Sequence, residues 1–235
     1  MTEPAPELVT LHLWRVPRRH VPAAVARMAL DRRPVRAAPG VLFAKLLGTG
    51  DGRTFTVRDA DLRRWGLLAT WTDPAAATAF ERSTTARRWR RLAEETWRVE
   101  LRPLATRGRW SGREPFGRSR GPGRWAGPVA AVTRARLAVR TAPTFWRAVS
   151  PVSADLAGRP GLRLAVGIGE APVGLQGTFS VWDSGRSLRA FAYAGAAHAD
   201  VVRRTAEERW YAEELFARFA VVGATGTVDG RDPLA

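Results

Sequence analysis

One histidine in this chain stands where it could hold a metal. Read as a helix, Phe191, Ala194, Gly195, His198, Val201, Val202 and Thr205 recur at steps of three and four, which turns His198 inward on a mostly apolar stripe. Ala192, Ala194, Gly195, Ala196 and Ala197 leave little bulk in the turn before the imidazole, so a flat ring system could approach there. Gly195 costs about 1 kcal/mol against Ala in a helix interior, a cost that close approach would explain. The same residues also suit a helix packed tightly on a sheet, with His198 a core histidine bonded to backbone. A single His without spaced partner ligands does not choose between the two.

Other polar residues frame this stretch. Gln176, Thr178 and Ser180 alternate along one face of a strand that ends at Trp182. They form either a polar edge to a ligand site or hydrogen bonds within the sheet. Arg203 and Arg204 follow His198 by about a turn, as anion partners or as solvated surface. Lys45 is the sole lysine among 38 cationic residues and lies in an expected strand, which suggests a specific task such as substrate contact; coding bias could equally have left it. Trp182, Phe191 and Phe179 are expected in the core, with pocket lining as the other reading. His12 and His20 receive no role.

The elements that must position these residues fall into a repeat. Leu8 to Val16 alternates as a strand, and Val21 to Leu30 has helical spacing. Pro39-Gly40 turns the chain into a strand from Val41 to Leu47, and Trp65 to Trp71 makes a third. Thr72-Asp73-Pro74 opens a helix with a capping residue and Pro at its first position, before a fourth strand from Val99 to Leu104. The order is β-α-β-β-α-β, and it returns after a Gly-, Pro- and Arg-rich stretch. Pro39-Gly40 to Gly48 matches Pro160-Gly161 to Gly169 at an offset of 121, Ala69-Thr70-Trp71 and Phe80 match Ser180-Val181-Trp182 and Phe191 at 111, and Gly112 to Pro115 matches Gly230 to Pro233 at 118.

We therefore expect a tandem duplication of a ferredoxin-like unit, copies at 1–116 and 127–235 joined by a linker at 117–126. Each α+β unit leaves one sheet face bare, and two can close into an intrachain barrel. Near the place of His198 the first copy has Thr85 or Arg87 and no His.

Composition bounds the function. With 235 residues and 45% hydrophobic content the chain can bury a large core. It has no cysteine, which excludes disulfides, zinc-thiolate sites, iron–sulfur clusters and cysteine nucleophiles. No apolar run of bilayer length and no secretory leader is evident, so a cytoplasmic setting is expected. The net charge of +16 rests on arginines spread along the chain with acids between them. No nucleic-acid-binding pattern accompanies it, whereas attraction to anionic headgroups would suit an enzyme whose substrate is dissolved in a membrane.

Several segments together resemble the spheroidene monooxygenase family of carotenoid ketolases, haem proteins related to antibiotic-biosynthesis monooxygenases and dimeric α+β barrels. They are Lys45 to Gly50, Ala69-Thr70-Trp71, Trp110 to Phe116, Gly167 to Pro172, Phe179 to Trp182, Phe191-Ala192-Tyr193 with His198, and Trp210 to Phe219. The resemblance implies haem b bound by the second repeat with His198 as the iron ligand. Gly195, Phe191, Trp182 and Arg203 would line the cofactor, Gln176 and Ser180 its distal edge, and Lys45, Thr178 and Phe179 the substrate. It also implies oxidation of a hydrophobic polyene by O2, with electrons from a donor such as ferredoxin, in a monomer or homodimer. Two alternatives use the same scaffold: another haem chemistry, such as aldoxime dehydration, and a cofactor-free barrel that binds or oxidises a small ligand.

Overall fold

A computed structural model of the protein describes residues 5–50, 59–117, 125–137, 158–171, 177–193 and 211–235. Eight strands close into one antiparallel barrel: β1 (Leu8–Arg15), β2 (Val41–Gly50), β3 (Ala60–Trp71), β4 (Glu95–Gly108), β5 (Val129–Leu137), β6 (Leu162–Gly169), β7 (Gly177–Trp182) and β8 (Tyr211–Gly226). Around the barrel they run β1-β3-β2-β6-β7-β5-β8-β4. Each half is thus ordered fourth, first, third, second, as a β-α-β-β-α-β unit requires. The halves meet along two seams, β4 with β8 and β2 with β6.

The β4–β8 seam carries the mark of the repeat. Trp97 pairs with Gly226 and Gly108 with Leu215; Val99 pairs with Ala224 and Thr106 with Ala217. Adding 118 to one strand's numbers converts each pairing into its mate, the self-complementarity of a twofold interface. Gly108 and Gly226 end the two strands with φ of 93° and 88°. A Cβ on either would lie 2.1 or 2.0 Å from the carbonyl oxygen of Glu214 or Thr96, so both ends of the seam need glycine.

Alternation along the strands separates two environments. Inward residues, among them Val9, Leu11, Val99, Val132, Phe179, Val181 and Phe219, fill the barrel as one packed core. Outward residues of the first half are covered by helices α1 (Val21–Leu30), α2 (Arg32–Arg36), α3 (Pro74–Glu81) and α4 (Thr84–Leu92), with Trp14, Trp65 and Trp71 fully enclosed beneath them and Trp89 of α4 packed down onto Trp14 and Trp65. Asp73 caps α3 as its sequence suggested, its carboxylate accepting from the Ala76 N–H at 2.8 Å with Pro74 next in line. Where the sequence pattern predicts one helix, Ser83, whose hydroxyl accepts from the Ala86 N–H, starts a second one. In the second half, α5 (Gly185–Tyr193) follows β7 on the outer face.

Candidate functional site

Two clusters contain the residues singled out by sequence. The first lies outside the barrel at the root of α5. Strand β7 turns Phe179 and Val181 inward, which sends Thr178, Ser180 and Trp182 outward. Trp182 is fully buried with Val129 and Leu188, against Ala131, Leu162 and Phe191. Its indole stacks on Phe191 at 5.3 Å between centroids, and its Nε1–H donates to the Ser180 hydroxyl at 3.0 Å. That bond uses one lone pair of Ser180 and leaves its O–H free to donate elsewhere. The Arg159 guanidinium stands over the Phe191 ring. His198, Gly195, Arg203 and Gln176 lie outside the described residues.

The second cluster closes one end of the barrel interior. Lys45 of β2, Arg134 of β5 and Glu213 of β8 share the inward parity of Phe43, Val132 and Leu215. The turn at 110–113, with Ser111 and Gly112 at φ of 55° and 74°, folds back over them. Lys45 Nζ donates to Ser111 Oγ at 2.7 Å and to Glu170 Oε2 at 2.5 Å. Glu170 Oε1 accepts from Trp110 Nε1 at 2.7 Å and from Arg134 Nη2 at 2.8 Å. Arg134 Nη1 reaches Glu213 Oε2 at 2.7 Å, and the Ser111 and Gly112 N–H groups bind the two oxygens of Glu213. Arg134 is only 3% exposed and its guanidinium lies over the Trp110 ring at 5.1 Å. Beside Lys45 and Glu170 opens a small cleft of about 200 Å³, which Arg32 and Arg36 also line.

Each end of the β4–β8 seam repeats one part of this design. Asp229 and Gly230, at φ of 53° and 74°, donate their N–H groups to Glu95 as Ser111 and Gly112 do to Glu213. The offset of 118 relates both turns and both glutamates. At the Glu95 end, however, Arg15 and Arg64 pair with an exposed Asp229. The Lys45–Glu170–Arg134–Glu213 chain, with both cations buried and both carboxylates partly so, belongs to one end alone among the described residues.

Burial by itself would raise the carboxyl of Glu170; the bonds from Lys45 and Trp110, with the Lys45 and Arg134 charges, more than offset it and hold the group below its ordinary value. Burial likewise opposes ionisation of Glu213, and the Gly112 and Ser111 N–H groups and Arg134 outweigh it. Glu81 is lowered against its own burial by His12, Arg98 and Arg90. Carboxyls depressed in the fold contribute stability above the unfolded value, near 4.5, and lose it as pH falls through the folded values. Urea midpoints are accordingly expected to hold from pH 7 to about 5 and to drop steeply below about 4.5. An unchanged midpoint at pH 3.5 would show that these carboxylates carry no net stabilisation.

Sequence reasoning singled out Lys45 but not its partners. Glu170, Trp110-Ser111 and Glu213 all lay in motif segments, whereas Arg134 was one arginine among many. Lys45 and Phe179 point into the barrel and Thr178 and Ser180 out of it, so the structure divides the expected substrate residues between two sites. The other two histidines are engaged in the first half. His12 is buried, bonded to Glu81 at 2.6 Å and stacked on Trp14, and His20 Nδ1 donates to the Leu92 carbonyl at 2.9 Å. Among the described residues no three His, Asp or Glu side chains converge as a metal site.

An antiparallel barrel closed within one chain by two like-ordered halves, with helices outside, defines the protein as an α+β barrel of two fused ferredoxin-like units. No family model matches the chain. An aldoxime dehydratase of known structure superposes on it with a TM-score of 0.57 at 12% identity, over 94% of this chain and 84% of that one, a likeness of fold. In sequence the chain is 37% identical over 221 residues to the spheroidene monooxygenase of Rhodobacter capsulatus, covering 92% of this chain and 90% of the relative. It is 39% identical over 206 residues to that of Rubrivivax gelatinosus, covering 87% and 78%. The chain belongs to the spheroidene monooxygenase family.

Proposed function

We propose that this protein is a haem-dependent monooxygenase that inserts oxygen from O2 into a C–H bond of a carotenoid or similar apolar polyene. The observation that carries the reading is the 37% identity to spheroidene monooxygenase over nearly the full length of both chains. The donor set supports an iron ligand in the second repeat. Of three histidines, His12 is held by Glu81 and Trp14 and His20 by a backbone carbonyl, which leaves His198. The described residues at the root of α5, Trp182, Phe191, Leu188 and Leu162, pack together as an apolar wall, which supports an apolar setting on that side of the second repeat.

Bound haem supplies O2 activation at iron, with electrons from an outside donor such as ferredoxin. The chain's own residues do the rest. His198 would hold the iron, Gly195 would leave room beside it, and Arg203 would offer a planar donor to the group's anionic edge. Trp182 and Phe191 exclude water from one side. Ser180, its oxygen engaged by Trp182, keeps a proton to donate, and with Gln176 it supplies the polar edge; Thr178 continues that edge toward the substrate. In this reading the Lys45 and Phe179 positions act from inside the barrel, by fixing the strands that carry the wall.

Purified protein reconstituted with hemin is expected to show a Soret band that shifts on reduction and again on addition of CO. It should convert an apolar carotenoid to an oxygenated product only with O2 and reductant. A colourless protein that refuses hemin would end the haem assignment, and turnover without O2 would end the oxygenase one.

A further inference from the structure

The outer layer of the first half carries an unusual charge distribution. Arg32, Arg33 and Arg36 of α2 are exposed, as are Arg87, Arg88, Arg90 and Arg91 of α4. A short turn before α1 adds exposed Arg18 and Arg19, and the His20–Leu92 bond fastens that turn to the end of α4. Helix α1 packs against both α2 and α4, so these cations lie on neighbouring helices of one outer layer. The acids nearby are engaged: Asp31 is buried against Arg27, Glu81 is occupied by His12, Arg98 and Arg90, and Glu94 just past α4 is paired with Arg63 and Arg15. Away from these helices charges are interleaved instead, as in the pairs Arg107 with Glu214 and Arg109 with Glu114.

Amid these arginines α1 exposes two aliphatic side chains, Val25 at 38% and Leu30 at 62%. A phosphate backbone or an acidic protein surface would use the cations and leave Leu30 idle. A bilayer interface uses both, because guanidinium groups meet anionic headgroups while short apolar side chains enter the acyl boundary. No described helix is long and apolar enough to cross a membrane, so contact through this face would be peripheral.

We propose that the α1–α2–α4 face docks on anionic lipid headgroups. Charge complementarity and the exposed aliphatics carry this inference, which is independent of haem and of the chemistry. Each basic residue near an anionic surface multiplies binding roughly fivefold, so three contribute about a hundredfold. The test is sedimentation of the full chain with vesicles of phosphatidylcholine alone or mixed equally with phosphatidylglycerol, at low and high salt. Binding is expected to the mixed vesicles alone and to weaken with salt. Arg87→Gln/Arg88→Gln/Arg91→Gln, which spares the Glu81-bonded Arg90, should lower partitioning about a hundredfold, and Leu30→Ser should lower it severalfold. Arg186→Gln/Arg189→Gln on α5 should change it little. Equal losses in both arginine variants would reduce the effect to net charge and overturn the proposal. So would an absence of vesicle binding alongside tight, salt-sensitive binding to a duplex oligonucleotide.

Discussion

Arg134→Met is expected to destabilise the fold by about 2–3 kcal/mol, the cost of leaving two partly buried carboxylates, 28% and 12% exposed, with too few partners. Arg134 is nearly inaccessible, and each arm of its fork binds a different glutamate. Its removal leaves Glu170 with Lys45 and Trp110, and Glu213 with two backbone N–H groups. The guanidinium's packing on Trp110 goes as well. Arg134→Lys restores the charge but cannot bridge both carboxylates as a planar fork, so it should recover part of the loss. A comparison within the molecule sharpens the expectation. Arg15 pairs with Asp229 at the Glu95 end, but the side chains are 30% and 58% exposed, and Arg15→Met should cost less than about 1 kcal/mol. Chemical denaturation of the three variants decides the matter: equal small losses would mean that solvent screens the Glu170 end as it does the Glu95 end.

The same cluster marks the limit of what local pattern reveals. The first half was legible because its signals are local. Val21–Leu30 is a helix over the expected span, and Asp73-Pro74 caps α3. The offset of 118 between two Gly-Arg-acidic-Pro segments reappears in the turns that bind Glu213 and Glu95 and in the pairing of β4 with β8. What stayed hidden is what the barrel brings together from a distance. Lys45 and Glu170 are 125 residues apart and Arg134 and Glu213 are 79 apart, and nothing in the spacing of arginines selects Arg134. His12 was similarly mute: a polar residue in an alternating strand reads alike whether it meets solvent or, as here, a glutamate under a helix. The break that separates α3 from α4 rests on one serine hydroxyl, a cap within a run that otherwise reads as continuous.

His198→Ala is expected to give a folded protein that no longer retains haem, with product formation down by more than about the hundredfold that even an outer-sphere partner of a metal ligand commands. Loss of fold would mimic loss of cofactor, so the variant has to be read against a histidine whose role is structural. His12 serves, because it lies under α3 with its Nε2 on Glu81 and its ring on Trp14 and Phe80. His12→Ala should lower the melting temperature by several degrees and leave the Soret band in place at temperatures where the protein stays folded. The two substitutions therefore have opposite signatures, one spectral and one thermal. Added imidazole should restore part of the Soret intensity to His198→Ala, since a free ligand can fill the space the side chain vacates, and should do nothing for His12→Ala. If His198→Ala keeps its Soret band while its melting temperature falls, the imidazole is a packing residue and the iron, if bound, is held elsewhere. A helix face of alanine and glycine would then serve close packing on the barrel, the other role that its sequence allows.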